Sequence, residues 1–424
     1  MSSLADYQTE HLFLLIGNNP LPNYVAMKLL ANENTTVHLV HSAETLVFAQ
    51  RLENKLKDGC KFAEKICVKP SSANEIKKKI EARLGGISGS VGLNYTGGTK
   101  AMAVHVYRAI AGKVSEAKFS YLDPRNLAML IDAPEAVESE MCFSLGKPEG
   151  NDYEKEYFRK TKISLEDLLY LHQLELFRDI RDEPRGLKIA EAIQSEAVGK
   201  DSWWKFQKKL REDFENAKKE IGYQPYNNRN EEQMKAQLRL KKIKFPGDLS
   251  NLAGTFEENF LSRNIIKLGE MVLANLPEDL SAIEFVNFLL GTWLEDFVLS
   301  RVKQVKEKCF LKYCGASVET SLRNNKKKRF FELDVVAMRG YRLFAISCSQ
   351  ESSVFKAKHK LFEAVHRAKQ LGGDEARIAL VCLAESWDIN NIKTQLEEDH
   401  IEVFGREDLG NLEQELERWF NRKG

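Results

Sequence analysis

The stretch LNYTGGTKAM, residues 93–102, decides how the first third of the chain folds. An apolar run, Ser90-Val91-Gly92-Leu93, stops at Asn94. Two threonines, two glycines and a lysine follow, and then an apolar helical pattern begins. This order predicts a buried strand, a tight turn and a helix. Glycines let backbone N–H groups approach an anion, and the N-terminus of the following helix adds positive partial charge. Thr96 and Thr99 bring hydroxyls to that turn, Gly97 and Gly98 bring close approach, and Lys100 brings charge. Neither GxxxxGK[ST] nor GxGxxG occurs, so this is no P-loop and no ordinary dinucleotide fold.

Outward from this turn, short apolar runs alternate with helical patterns. Strands are expected at 11–16, 36–40, 62–68 and 118–122, and helices at 24–31, 43–57 and 73–84. Nearly continuous apolar strands that alternate with helices are the signature of a doubly wound parallel sheet. Residues 1–148 therefore read as a Rossmann-like domain. Ligands of such sheets bind beyond the carboxyl ends of the strands. Gly17-Asn18-Asn19-Pro20 closes the first strand and His41-Ser42 the second, so both join Thr96–Lys100 as ligand-binding candidates. Asn18 and Asn19 offer amides to a base or ribose.

Residues 149–276 read as a helical connector with an insertion, including helices at 203–221 and 231–242 and a break at 222–228. The expectation for it is a spacer. Residues 277–424 return to α/β, with a long helix over 282–302 and strands at 309–311, 330–338, 341–349 and 378–383. A helix over 356–371 ends at Gly372-Gly373.

Two segments carry a resemblance. LLIGNNPLPNYVAMKLL (14–30) and VGLNYTGGTKAMAVHVY (91–107) resemble a CARF domain, the sensor of CRISPR-associated ancillary proteins. The branch it resembles joins this sensor to a C-terminal PD-(D/E)xK nuclease. The resemblance implies a homodimer that binds a cyclic oligoadenylate, cyclic tetra-adenylate above all, across its two-fold axis. Each protomer of an isologous dimer would then serve half of a two-fold ring.

FFELDVVAMRGYRLFAISCSQ, residues 330–350, resembles the nuclease core. Glu332 and Asp334 are two apart and share a strand face. Glu295, in GTWLEDFV, matches the helix glutamate of that family. By this resemblance Glu295 and Asp334 hold Mn²⁺ or Mg²⁺ through oxygen, and Glu332 is a further ligand or neighbour. The chain departs from the pattern in one place. The acid and lysine of (D/E)xK fall on Ser347 and Ser349. Serine supplies no cation. Either the lysine has migrated to Lys356, Lys358 or Lys360 on the next helix, or the centre binds without cutting. Between 301 and 330 there are ten Lys or Arg and two acids, with Lys326-Lys327-Lys328-Arg329 just before the acidic strand, which suits DNA or RNA phosphates.

Composition narrows the field further. With 43% hydrophobic residues and a net charge of +1 the chain builds cores and has no global field for nucleic acid or membrane. No apolar run reaches the ~18 residues of a span. Seven scattered cysteines point to a reduced, cytoplasmic protein. Two rival functions stay open: a ligand-gated nucleic-acid-binding effector with a degraded centre, and a ring nuclease that uses Ser42, Thr96 and Lys100, with His41 nearby.

Overall fold

A computed structural model describes residues 3–132, 141–184, 186–222, 228–260, 265–267, 269–276, 281–350, 354–385, 389–390, 394 and 400–422, without the side chains of 228, 229, 260, 326–328 and 354. Strands are numbered in chain order. The first eight are β1 (His11–Leu15), β2 (Thr36–His41), β3 (Lys61–Phe62), β4 (Ile66–Cys67), β5 (Val91–Asn94), β6 (Lys118–Asp123), β7 (Ala128–Ile131) and β8 (Met141–Ser144). They form one sheet in the order β3-β2-β1-β5-β6-β7-β8, with β4 also on β2. Its centre is parallel, and β7 and β8 add an antiparallel edge. The expected third strand resolves into β3 and β4, two short pieces that both pair with β2.

β1 shows why this sheet is doubly covered. Leu12 and Leu14 pack on one side, in a core shared with helix Leu21–Leu30. Phe13 and Leu15 pack on the other, with helices Ala73–Leu84 and Lys100–Ala111. A strand buried on both faces must be apolar at every position, and this one nearly is.

The connector is more than a spacer. It contains the expected long helix, Asp201–Ile221, and the small antiparallel sheet of β10 (Lys242–Lys244), β11 (Ile266–Lys267) and β12 (Glu270–Val272). Earlier in it, β9 (Leu174–Leu176) pairs with the C-terminal sheet.

That sheet runs β17-β16-β15-β14-β13-β9, where β13 is Tyr313–Leu322, β14 Asn325–Arg339, β15 Arg342–Ser349, β16 Arg377–Cys382 and β17 Ile401–Phe404. β13, β14 and β15 are antiparallel, and β15, β16 and β17 parallel. Residues 309–311, expected as a strand, form a turn in which Phe310 has φ 54°. The long helix expected over 282–302 is interrupted. Helix Ala282–Asn287 runs into a π turn, Phe288–Thr292, and then into helix Trp293–Gln304. The last of these covers one face of the sheet, packed on Val335, Ala337 and Ile346. Helix Val354–Gly372 covers the other through Ala357, Leu361, Ala364 and Ala368, on Leu333 and Val336. That second core continues without a break into the N-terminal domain.

Candidate functional site

β14 and β15 pair from Arg339↔Arg342 to Val335↔Ile346 and then part. Asp334 stands in the fork. Its Oδ2 accepts from the Ser347 hydroxyl at 3.0 Å and from the Cys348 backbone N–H at 2.7 Å. The first donation explains Ser347: in place of an acid it closes the fork on Asp334. Ser349 is buried further along β15, beside Cys382 on β16.

From one side, helix Val354–Gly372 brings Lys360 and Arg367 to a small pocket that Glu332, Asp334 and Ser347 also line. Arg367 donates to the Glu332 carbonyl at 2.8 Å. Lys358 and Ser349 do not line this pocket. Lys356 is exposed. From the other side, helix Trp293–Gln304 brings Glu295. Its Oε2 accepts from Arg181 at 2.8 Å and from the Ser317 hydroxyl at 2.9 Å. Val318 pairs with Leu333 and Ala316 with Val335, so Ser317 on β13 lies opposite Asp334 on β14. Arg181 also forms an ion pair with Asp296, whose Oδ2 accepts from the Gly186 N–H at 2.9 Å.

The charges explain the electrostatics. Burial, then the Asp334 and Glu332 charges, push Glu295 up to about 8 against the pull of Arg181 and Ser317. Burial raises Asp334 as well, opposed by the Cys348 N–H, Lys360, Ser347 and Arg367. Burial and Asp334 raise Glu332. Crowded carboxyls held above their usual range are what a cation relieves. Mg²⁺ commonly takes only one or two protein carboxylates and completes its shell with water and phosphate oxygens. Glu295 and Asp334 fit that demand. Among the described residues no three His, Cys, Asp or Glu side chains converge on one point, so an all-protein cage is not what this centre offers.

Arg181, Ser317 and Arg367 were not among the residues singled out from sequence. Arg181 comes from the connector, 114 residues before Glu295, and no spacing marks it. The side chains of the expected basic run at 326–328 lie outside the described residues. Arg329 pairs with Glu332 at 2.9 Å.

At the other end of the chain, β2, β1 and β5 are parallel neighbours, so their carboxyl ends lie side by side. A Cβ on Gly97 would stand 2.0 Å from the Leu15 carbonyl, and one on Gly17 would stand 3.1 Å from the Gly98 nitrogen. The two loops thus touch backbone to backbone. Gly98 takes φ 73°. Thr99 caps helix Lys100–Ala111 by accepting from the Met102 N–H at 3.2 Å. Thr96 accepts from the Leu122 N–H at 2.7 Å and fastens the loop to β6. Lys100 and Asn18 are exposed, and Pro20 is buried. Ser42 is turned inward: it is 4% exposed and bonds Glu44 at 2.8 Å within its own turn. Asn19 accepts from the Leu21 N–H at 3.0 Å, and its amide nitrogen stands 2.3 Å from where a Cβ on Gly373 would be. It abuts the C-terminal domain.

Comparison with known proteins follows this division. Residues 283–423 match the family model of the Card1-like endonuclease domain. Protein VC1899 from Vibrio cholerae has a similar fold, with a TM-score of 0.66 at 17% identity over 98% of this chain and 99% of that one. So does Can2 from Sulfobacillus thermosulfidooxidans, seen in complex with cyclic tetra-adenylate, with a TM-score of 0.63 at 16% identity over 97% of this chain and 99% of that one. No curated protein matches the chain. The match over residues 283–423, with the likeness in fold over nearly the whole chain, bears out the resemblance to the CRISPR-associated ancillary nucleases.

Proposed function

We propose that the chain is a metal-dependent nuclease of CRISPR defence that a cyclic oligoadenylate switches on, and that it works as a homodimer. The observation that carries the nuclease half is the fork at Asp334, where Glu295 arrives from one helix and Lys360 from another. Glu295 and Asp334 would hold Mg²⁺ or Mn²⁺, which when bound acidifies a water and spreads the charge that develops on the phosphate. Ser347 and the Cys348 N–H fix one oxygen of Asp334 and so aim the other. Ser317 and Arg181 orient Glu295 in the same way. Lys360 replaces the lysine that Ser349 lacks. Lys360 lines the Asp334 pocket, and its ammonium would donate to a phosphate oxygen or to the attacking water.

The sensor half rests on the paired loops at 17–20 and 96–100. Gly97 and Gly98 let this loop pack closely on Leu15, which sets the N-terminus of helix Lys100–Ala111 at the strand ends, and Lys100 and Asn18 are exposed there. Can2, similar in fold, holds cyclic tetra-adenylate. A two-fold ring calls for two copies of the loop, hence the dimer. The buried Ser42 argues against the ring-nuclease role first considered for it.

A second reading has its own observation. The guanidinium of Arg181 already neutralises Glu295, and serines hold both (D/E)xK slots. On that reading the protein binds nucleic acid under ligand control without cutting. Cleavage of plasmid and of single-stranded RNA and DNA, with cyclic tetra-adenylate present and in Mg²⁺, Mn²⁺ or EDTA, separates the two. The nuclease reading expects cutting in either metal that Asp334→Ala and EDTA abolish. Absent cutting in all samples, with the same strands retained by the protein only when ligand is present, is what the binding reading expects.

A further inference from the structure

A cavity of about 360 Å³ lies on the Glu295 side of β13 and β14. Glu332 lines both this cavity and the pocket that holds Asp334, so the two are neighbours. Phe288, Ser317, Glu319, Arg178 and Arg181 also line it. Three features mark it as built for a ligand. Phe288 opens the π turn, and single π turns inside helices gather at functional sites. Its ring lies over Gly186, where a Cβ would stand 2.7 Å from it. Ser317 takes φ 54°, a left-handed conformation that non-glycine residues rarely adopt. Glu319 Oε2 is buried and accepts no hydrogen bond among the described residues, with Arg178 Nε 3.7 Å away as an ion pair. A buried carboxylate oxygen without a donor is a cost that a ligand N–H removes.

We propose that this cavity takes the nucleobase beside the phosphodiester at Asp334. Its ring packs against Phe288, and an exocyclic amino group on its edge donates to Glu319 Oε2. The volume sits at the low end of the ~300–1,000 Å³ range of ligand pockets and suits a single unstacked nucleoside. Arg178, with its side chain 53% exposed at the rim, supplies positive charge for the flanking phosphate. The lining is otherwise rich in carboxylates, which suits the amino edge of a base better than a second phosphate. Adenine, guanine and cytosine carry that amino group, and uracil and thymine do not. The proposal rests on the nuclease reading for its substrate, but the binding it describes needs no cutting.

The test uses the full chain in two arms. In the first, cut sites in a random-sequence single-stranded pool are mapped with Mn²⁺ and cyclic tetra-adenylate for the wild type, Glu319→Met, Glu319→Gln and Phe288→Leu. Met removes the acceptor at similar length, and Gln keeps the shape but adds donors. The wild type should enrich amino-bearing bases about fivefold at one position next to the cut. Both Glu319 variants should flatten that enrichment, and Phe288→Leu should slow cutting about tenfold. In the second arm, Asp334→Ala protein in EDTA binds oligonucleotides that carry 2-aminopurine, with and without Phe288→Leu. The fluorescence should be quenched on binding, and less so without the ring. Where cutting occurs the base profile decides, and a profile unchanged by Glu319→Met overturns the pocket while the nuclease reading stands. Where no cutting occurs the quenching decides. Phe288-dependent quenching keeps the pocket and overturns the nuclease reading, and its absence overturns both.

Discussion

At the scale of single residues, the account turns on which cation faces Asp334. Lys360 lines its pocket, whereas Lys356 on the same helix does not. A positioned proton donor contributes about 10²–10⁴-fold to rate. Lys360→Ala should therefore slow cleavage by at least about a hundredfold, and Lys356→Ala by less than about threefold, read as initial rates on one labelled strand. A second expectation concerns Arg181. It pairs with Glu295 and with Asp296, which is wholly buried. Removing one partner of a buried pair typically costs 3–5 kcal/mol, because the other charge is left uncompensated. Arg181→Met should lower stability by about that much, read from the urea midpoint at pH 7. Glu332 and Asp334 were legible in the sequence because a two-residue spacing on a strand has few meanings. Glu295 was legible through the match of its helix. Arg181 was not, since its partner lies far along the chain and only the folded sheet joins them. Lys360 was one of three candidates; Lys356, four residues earlier, shares its helix face, so only the folded position of the Asp334 pocket along the helix separated the two.

At the scale of elements, apolar patterning revealed what is buried on two sides and little else. β1, β2, β5 and β6 stood out as short apolar runs. β13 did not, because Tyr313–Leu322 mixes small and polar residues and owes its extended form to pairing with β14. β7, β8, β9 and β17 are three or four residues long, too short for a period to register. The π turn at Phe288–Thr292 is invisible to helical periodicity, which reads straight through it. The glycine-threonine turn, by contrast, was read correctly as strand, turn and helix. Its capping residue gives a clean test. Thr99→Ala removes the acceptor for the Met102 N–H and should cost about 1 kcal/mol of stability by thermal unfolding. Gly98, at φ 73°, admits no side chain without strain, so Gly98→Ala should cost more than Thr99→Ala.

At the scale of the whole molecule, one core runs from the N-terminal domain into the nuclease sheet. Asn19, in the loop after β1, abuts Gly373, at the end of the helix that carries Lys360. The same junction buries Glu375. Its burial, with Asp374 and Asp123 nearby, pushes it up to about 7 against the pull of its own backbone N–H and Arg342. A carboxyl whose folded value is raised keeps its proton longer in the native state. Stability is then lost as pH rises from the unfolded value of about 4.5 through about 7, by an amount on the order of 3 kcal/mol. Wild-type unfolding midpoints should fall between pH 5 and pH 8, and Glu375→Gln should remove part of that fall, the raised carboxyls around Asp334 carrying the rest. Among the described residues no helix is long and apolar enough to cross a membrane. The two-part architecture was legible because each end carries its own signature. The junction was not, since it is made of single residues from segments far apart in sequence. The most direct test of a ligand-switched nuclease is the cleavage rate of one labelled strand at fixed Mn²⁺, with and without cyclic tetra-adenylate, for the wild type and Asp334→Ala. The account predicts fast cutting only in the wild type with ligand. Cutting that ignores the ligand, or that survives Asp334→Ala, would contradict it.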